Sequence, residues 1–164
     1  MKNEISLRLA TLKDAIIIDN WLLEKGIAER LGIVDGSKGV LNFLPLHSES
    51  QKEVHMFMYR DSAIGFVCID WFFLNEHKAI DIERFLIQPE SRRAGYGKQA
   101  LKLLLDYMSS RWRTGVRFRA MINSGNSGSL KLFKSFGFNL DPPRLSSDST
   151  AHILRRSKYL LSKL

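Results

Sequence analysis

The residues with the clearest chemical potential lie in one stretch, Glu83-Arg84-Phe85-Leu86-Ile87-Gln88-Pro89-Glu90-Ser91-Arg92-Arg93-Ala94-Gly95-Tyr96-Gly97. It reads as the end of a strand, a turn carrying two arginines and two glycines, and the first turn of a helix. The opening amides of a helix have no intrahelical acceptor. Together with the positive end of the helix dipole they favour an anion, above all a phosphate. Gly95 and Gly97 let the backbone come close to such a ligand and adopt conformations other residues resist. Arg92 and Arg93 add charge beside the loop.

Other phosphate motifs fit less well. Gly95-x-Gly97-x-x-Ala100 has the spacing of a dinucleotide fingerprint, but that motif needs an acid about 20 positions on, and none occurs between Asp106 and Asp141. A P-loop requires Gly-Lys-Ser/Thr, whereas Gly97-Lys98 is followed by Gln99. A strand–turn–helix with no ligand is the plain structural alternative. Just upstream, strict alternation along a strand from Ala79 to Ile87 puts Asp81, Glu83 and Phe85 on one face. The structural alternative for the two carboxylates is solvation or pairing with arginine.

The elements that must hold this stretch follow from periodicity. Thr11-Leu12-Lys13-Asp14 resembles a capping box, and Ala15 to Leu23 continues it as an apolar helix. Ala28 to Leu31 reads as a short helical piece and Gly32 to Ser50 as a long loop. Val54 to Tyr59, Ile64 to Phe73 and Ala79 to Ile87 form three strands with short polar turns, an antiparallel meander. Leu101, Leu104, Leu105 and Met108 mark one face of a helix from Gly97 to Ser110. Val116 to Ile122 is a strand, and Ser129 to Phe136 a helix closed by Gly137. Phe138 to Leu140 and Thr150 to Arg156 are strands separated by Asp141-Pro142-Pro143. The order ααβββαβαββ predicts an α+β fold: a mixed, mostly antiparallel sheet with helices on both faces, in one domain spanning residues 1–164.

Charge is uneven. Residues 1–90 hold 10 Lys/Arg and 14 Asp/Glu, and residues 91–164 hold 15 and 3. A basic C-terminal half suits an anionic partner, whether nucleic acid, membrane surface or phosphorylated cofactor, or is a solvated basic face. No secretory signal opens the chain, and no apolar run is long enough to span a bilayer. The single cysteine, Cys68, reads as a buried inert thiol. A cytoplasmic protein is expected. His47, His55, His77 and His152 are scattered without metal-ligand spacing, so no metal is expected.

Arg92-Arg93-Ala94-Gly95-Tyr96-Gly97 resembles the Arg/Gln-x-x-Gly-x-Gly/Ala signature of the GNAT acetyltransferases. Asn126-x-x-Ser129-x-x-Leu132-Phe133-x-x-Phe136-Gly137-Phe138 resembles that family's Asn-x-x-Ala/Ser…Tyr…Gly-Phe block. Both occur in order, on the expected elements, over about residues 79–140. The resemblance implies a GNAT fold splayed between the Ala79–Ile87 and Val116–Ile122 strands, with acetyl-CoA as cosubstrate. It places the diphosphate on Arg92, Arg93, Ala94, Gly95, Tyr96, Gly97 and Lys98, with Tyr96 serving more as packing. It places the pantetheine arm along Phe85, Leu86 and Ile87 and near Asn126, Ser129 and Phe133. An amide near Leu86 or Ile87 would serve as oxyanion donor.

The resemblance also implies a base that deprotonates an amine. Glu83 matches the position of the glutamate in polyamine acetyltransferases, and Asp81 that of the histone-type members. Phe133 departs from the family's tyrosine, which leaves Ser129 or a water to reprotonate the thiolate. The acidic N-terminal half, with Glu24, Glu29, Asp35 and Glu49, favours a cationic acceptor: a small polycation, or an amine of a peptide or protein. Trp21, Phe43 and Trp71 are core or pocket aromatics. Two alternatives are an aminoacyl-tRNA-directed enzyme, suggested by Arg111, Arg113, Arg117, Arg119 and Asp19-Asn20-Trp21-Leu22, and an acetyl-CoA-binding domain without turnover. Phe133 counts against the first. A homodimer is compatible with the sequence.

Overall fold

Apolar residues recur with a period of two through the middle of the chain and with a period of 3.6 after Tyr96, and the backbone follows both. The structure is a computed structural model; it describes residues 5–31, 51–74, 77–111, 116–123, 125–140 and 151–158, with backbone alone at 73, 74, 77, 140 and 151–158. The predicted loop 32–50, with Asp35, Phe43, His47 and Glu49, and the Asp141-Pro142-Pro143 interruption lie outside the described residues.

The elements in order are β1 (Ile5–Leu9), α1 (Leu12–Leu23), α2 (Ile27–Arg30), β2 (Lys52–Tyr59), β3 (Ser62–Leu74), β4 (His77–Ile87), α3 (Tyr96–Arg111), β5 (Val116–Asn123), α4 (Ser127–Ser135), β6 (Asn139–Leu140) and β7 (Ala151–Lys158). They make one seven-stranded sheet ordered β1-β2-β3-β4-β5-β7-β6. Only β4 and β5 pair in parallel among these neighbours. The mixed α+β sheet is as expected. Strand β1 is absent from the elements read in the sequence, although the alternation Ile5, Leu7, Leu9 about Ser6 and Arg8 carries its signal.

Helix α1 starts where the capping box predicts. The Asp14 carboxylate accepts from the Thr11 amide at 2.7 Å and from the Thr11 hydroxyl at 2.9 Å. Arg8 on β1 donates two more bonds to it at 2.8 Å. These bonds hold the Asp14 carboxyl far below the usual range against the opposing effect of burial.

Each face of the sheet has its own core. On one, Leu101, Leu104 and Met108 of α3 and Phe133 of α4 pack on Ile69, Ile80, Ile82 and Phe118. On the other, Ala15, Ile18 and Trp21 of α1 and Ile27 of α2 pack on Val54, Met56, Phe66 and Cys68. Trp21 stacks on Phe66 with ring centroids 6.3 Å apart, so it is core. Burial pushes the Cys68 thiol up to about 12, as an inert core cysteine requires.

Two irregularities shape the centre of the sheet. Phe57 pairs with Gly65 and Met58 with Ala63, which leaves Ile64 as an extra residue in β3. Cys68 pairs with Arg84 and Ile69 with Ile82, which leaves Glu83 as an extra residue in β4. The second bulge overturns the expectation that Asp81, Glu83 and Phe85 share a face. Ile80 and Ile82 reach the α3 core, and beyond the bulge so do Phe85 and Ile87, while Leu86 turns to the α1 core. Strict alternation fails because one added residue inverts every side chain after it.

Candidate active site

The site begins where β4 and β5 part. Their pairing runs from Lys78↔Val116 to Ile82↔Ala120 and stops there, although β4 continues to Ile87 and β5 to Asn123. Beyond Ile82 the β5-facing edge of β4 has no strand partner among the described residues; the Glu83 and Ile87 carbonyls accept from Arg84 and Arg92, and the remaining groups of that edge are open to a ligand. Phe133 closes the base of the wedge. It is buried, edge-on to Phe85 at 5.7 Å and to Phe138 at 5.1 Å.

A cleft of about 590 Å³ opens along this edge, lined by Phe85, Leu86 and Ile87 of β4, by Arg92, Arg93 and Gly97, by α2, and by the start of α4. A smaller recess of about 170 Å³ adjoins it, lined among others by Arg30, Glu83, Arg84, Asn123, Asn126, Ser129 and Phe133.

Local chemistry fixes the turn between β4 and α3. The Gln88 amide donates to the Ile64 carbonyl at 2.9 Å, and a 3-10 turn follows at Pro89–Ser91. Arg92 Nε donates to the Ile87 carbonyl at 2.8 Å, tying the loop to the strand end. Burial, then the nearby Arg30, lowers the Arg92 pKa from its ordinary value. Arg93 and Gly95 both take positive φ, at 63° and 83°. That bend turns the chain into α3, whose second residue, Gly97, lines the cleft.

On the far wall, Asn126 caps α4: its Oδ1 accepts from the Ser129 amide at 3.2 Å. Gly125, Ser127 and Gly128 line the same wall with small side chains or none. A second helix start therefore faces the cleft across from the first.

The sequence matches the Acetyltransferase (GNAT) family over residues 21–138, most of the chain. The chain belongs to the GNAT acetyltransferase family. Its fold is similar to that of spermidine N-acetyltransferase from Vibrio cholerae, solved with CoA and spermine, with a TM-score of 0.71, 14% identity and 96% of each chain covered. It is also similar to aminoglycoside acetyltransferase AAC(6')-Ib solved with coenzyme A, at 0.72 and 16%, covering 94% of this chain and 95% of that one. A domain from Methanocaldococcus jannaschii matches at 0.73 and 18%, covering 94% and 98%. In sequence, an N-acetyltransferase 9-like protein from Schizosaccharomyces pombe is 30% identical over 67 residues, 38% of this chain. This chain thus spans about a third of that relative, 31% of its length.

Within this GNAT wedge the structure gathers most of the residues marked from sequence. Phe85, Leu86, Ile87, Arg92, Arg93, Gly97, Asn126 and Ser129 line the main cleft, and Glu83 and Phe133 the recess. Ala94 and Gly95 on the loop and Lys98 in the first turn of α3 are exposed without lining the cleft. Tyr96 packs on Tyr59 at 5.3 Å, a structural role.

The two carboxylates separate sharply. Glu83 sits on the bulge at the recess, held by Lys52 Nζ at 3.0 and 3.2 Å. Asp81 lies in the paired part of the strands, in a two-point ion pair with Arg119 that includes a 2.7 Å bond from Nε. It lines neither cavity.

Ile27, Arg30 and Leu31 of the α2 region also line the cleft, and sequence reading does not mark them for the cofactor side. Their only signal is that α2 precedes the meander. Asp70 is a further carboxylate near Glu83 and Asp81; burial, with those two like charges adding to it, raises its pKa. Among the described residues no group of three or more His, Cys, Asp or Glu is placed to hold a metal, and no helix is long and apolar enough to cross a membrane. His55 is buried against Glu53 at 2.9 Å and edge-on to Tyr107, a structural histidine.

Proposed function

We propose that this GNAT protein is an acetyl-CoA-dependent N-acetyltransferase acting on a primary amine of a small molecule or of a peptide. The observation that carries the reading is the wedge itself. Two cavities that share Phe85, Asn126 and Ser129 bring together a phosphate-type loop, an unpaired strand edge and a carboxylate. The residues present fit coenzyme A: two guanidinium groups and a helix start for the diphosphate, and a free strand edge for the amide-bearing pantetheine arm.

Bound acetyl-CoA supplies an activated acetyl thioester. Arg92 and Arg93 hold its phosphate end, Gly97 keeps that approach open, Gly95 permits the bend beside it, and the β4 edge at Phe85 and Ile87 aligns the arm. Amides of that edge are the donors for the thioester oxygen. Glu83 accepts the proton the attacking amine must lose, directly or through a water, and Lys52 orients it. Ser129, the one serine among the described residues that lines both cavities, is the hydroxyl for returning a proton to the thiolate, since Phe133 has none.

Phe133 favours a second reading. Its ring is buried among Phe85 and Phe138, so a domain that binds acetyl-CoA without turning it over is compatible with an entirely apolar wedge base. A thiol-release assay with acetyl-CoA against small amines, amino acids, peptides, polyamines and aminoacyl-tRNA separates the two. Release dependent on an amine is expected; cofactor binding with no release on the whole panel would favour the second reading. Gly95→Val should weaken coenzyme A binding by roughly tenfold in calorimetry, because a β-branched residue at φ 83° is strained by about 1–3 kcal/mol.

A further inference from the structure

Of the two arginines that line the recess, neither has a task in the chemistry above, and Arg84 bonds the Glu83 carbonyl. Arg30, at the end of α2, lines both the main cleft and the recess. It is exposed and forms no ion pair among the described residues. The titratable groups lining the recess are Arg30, Glu83 and Arg84. Its one carboxylate, Glu83, is already held by Lys52. Asp81 is committed to Arg119, and neither Asp70 nor Asp81 lines the recess.

A polycationic acceptor would therefore bring its second charge to Arg30 with no uncommitted carboxylate among the described residues that line the recess, and juxtaposed like charges select against such a partner. An anionic group gains what the polycation loses. A guanidinium binds a carboxylate by paired, charge-assisted hydrogen bonds. Asn123, Asn126 and Ser129 add neutral polar groups to the lining. At about 170 Å³ the recess encloses a small group, well below the volume of a pocket for a drug-sized ligand.

Resting on the N-acetyltransferase reading of the same site, we infer that the acceptor carries a carboxylate close to the amine that is acetylated, and that Arg30 receives it. The substrate class is an amino acid or a very short peptide. Arg30 is a specificity-determining residue, and Glu83 faces the amine.

Matched acceptors test this on the whole chain. Glycine and glycinamide, β-alanine and its amide, and spermidine are compared by thiol release, with rates referred to the unprotonated amine. Each free acid should exceed its amide in kcat/KM by about tenfold or more, the worth of a charged hydrogen bond. Arg30→Gln should bring that ratio to within about threefold of unity by removing the same bond. Equal rates for acid and amide, a preference for spermidine, or a ratio unmoved in Arg30→Gln would each overturn the inference and leave the acetyltransferase reading standing. So would an Arg30→Gln effect confined to coenzyme A affinity in calorimetry, which assigns the guanidinium to the cofactor's phosphates. Bound coenzyme A with no turnover of any amine would sink the acetyltransferase reading, and this inference with it.

Discussion

Strands β4 and β5 behave differently at their two ends. Where they pair, several charges are satisfied within the protein, although the buried Nε of Arg117 has no hydrogen-bond partner among the described residues. Asp81 and Arg119 stand opposite each other in register and bond across the ladder. Lys78 lies 3.7 Å over the Trp71 ring, and Glu53 gathers His55, Trp71 and Arg111. A few residues on, the strands part. The edge from Glu83 to Ile87 has lost its strand neighbour, a bulge has inverted the pleat, and the lining groups face a cavity. The same two strands thus act as a clamp at one end and as a binding surface at the other. Residue type alone does not assign function here: Asp81 and Glu83 are two positions apart and carry the same charge, but only one faces an opening.

The largest test of this contrast compares those two carboxylates. Glu83→Gln should lower turnover by about 100-fold or more, the usual loss on removing a general base. Asp81→Asn should change it by less than about threefold, as expected for an ion pair remote from the chemistry. Thiol release at saturating substrates measures both. Equal losses, or a larger one at Asp81, would break the distinction between clamp and opening.

At the closed end, Glu53 should matter for stability. Burial pushes its carboxyl up, but hydrogen bonds from His55 and Arg111 outweigh this and bring it down to about 2. A depressed folded pKa means stability that is fully present above the ordinary glutamate value, 4.5, and is lost as the pH falls through about 2. Glu53→Gln should cost of order 3 kcal/mol at neutral pH, the conversion of that shift. It should also flatten the pH dependence of denaturant unfolding across that window. An unchanged acid limb would mean that the network does not hold α3 to the sheet.

These two ends were not equally legible in the sequence. The turn from Arg92 to Gly97 and helix α3 could be read because their signals are local: glycines, arginines and a 3.6-residue repeat within about 25 positions. The meander was readable for the same reason. The clamp was not, since Arg119 meets Asp81 across 38 positions and Arg111 meets Glu53 across 58; nor, at the opening, was the contact of Lys52 with Glu83 across 31. The bulge at Glu83 was hidden as well. No glycine or proline marks it in β4, and it exists only through register with β3. Formal charge in the acidic N-terminal half also counts residues that the fold has already paired, such as Asp14 with Arg8, and sequence alone does not show which.

Gly65 links the two ends, and replacing it should sharpen the contrast. A Cβ at this position would stand 2.2 Å from the Leu86 carbonyl oxygen and 3.1 Å from the Ile87 Cα. Backbone atoms cannot swing aside as a side chain can. Gly65→Ala should therefore cost about 1–3 kcal/mol, in the range of overpacking. It should also shift the Leu86–Ile87 edge and weaken coenzyme A binding, which no purely clamping residue should do. A melting-temperature loss with unaltered cofactor affinity would place Gly65 on the clamp side alone.

The smallest effect is expected for the ion pair that closes the strands. Asp81 is partly buried, but the Arg119 side chain is 43% exposed, so solvent screens much of their attraction. A double-mutant cycle of Asp81→Asn with Arg119→Gln should give a coupling of about 0.2–1 kcal/mol, falling with added salt. The point where the strands part is then set by the bulge and the packing around Phe133, with the pair only reinforcing it. A coupling above about 2 kcal/mol, insensitive to salt, would reverse that order, since only a desolvated pair reaches such values. The Asp81–Arg119 contact would then fix where the wedge opens, and its loss should lengthen the cleft toward Lys78 and raise turnover's dependence on coenzyme A concentration.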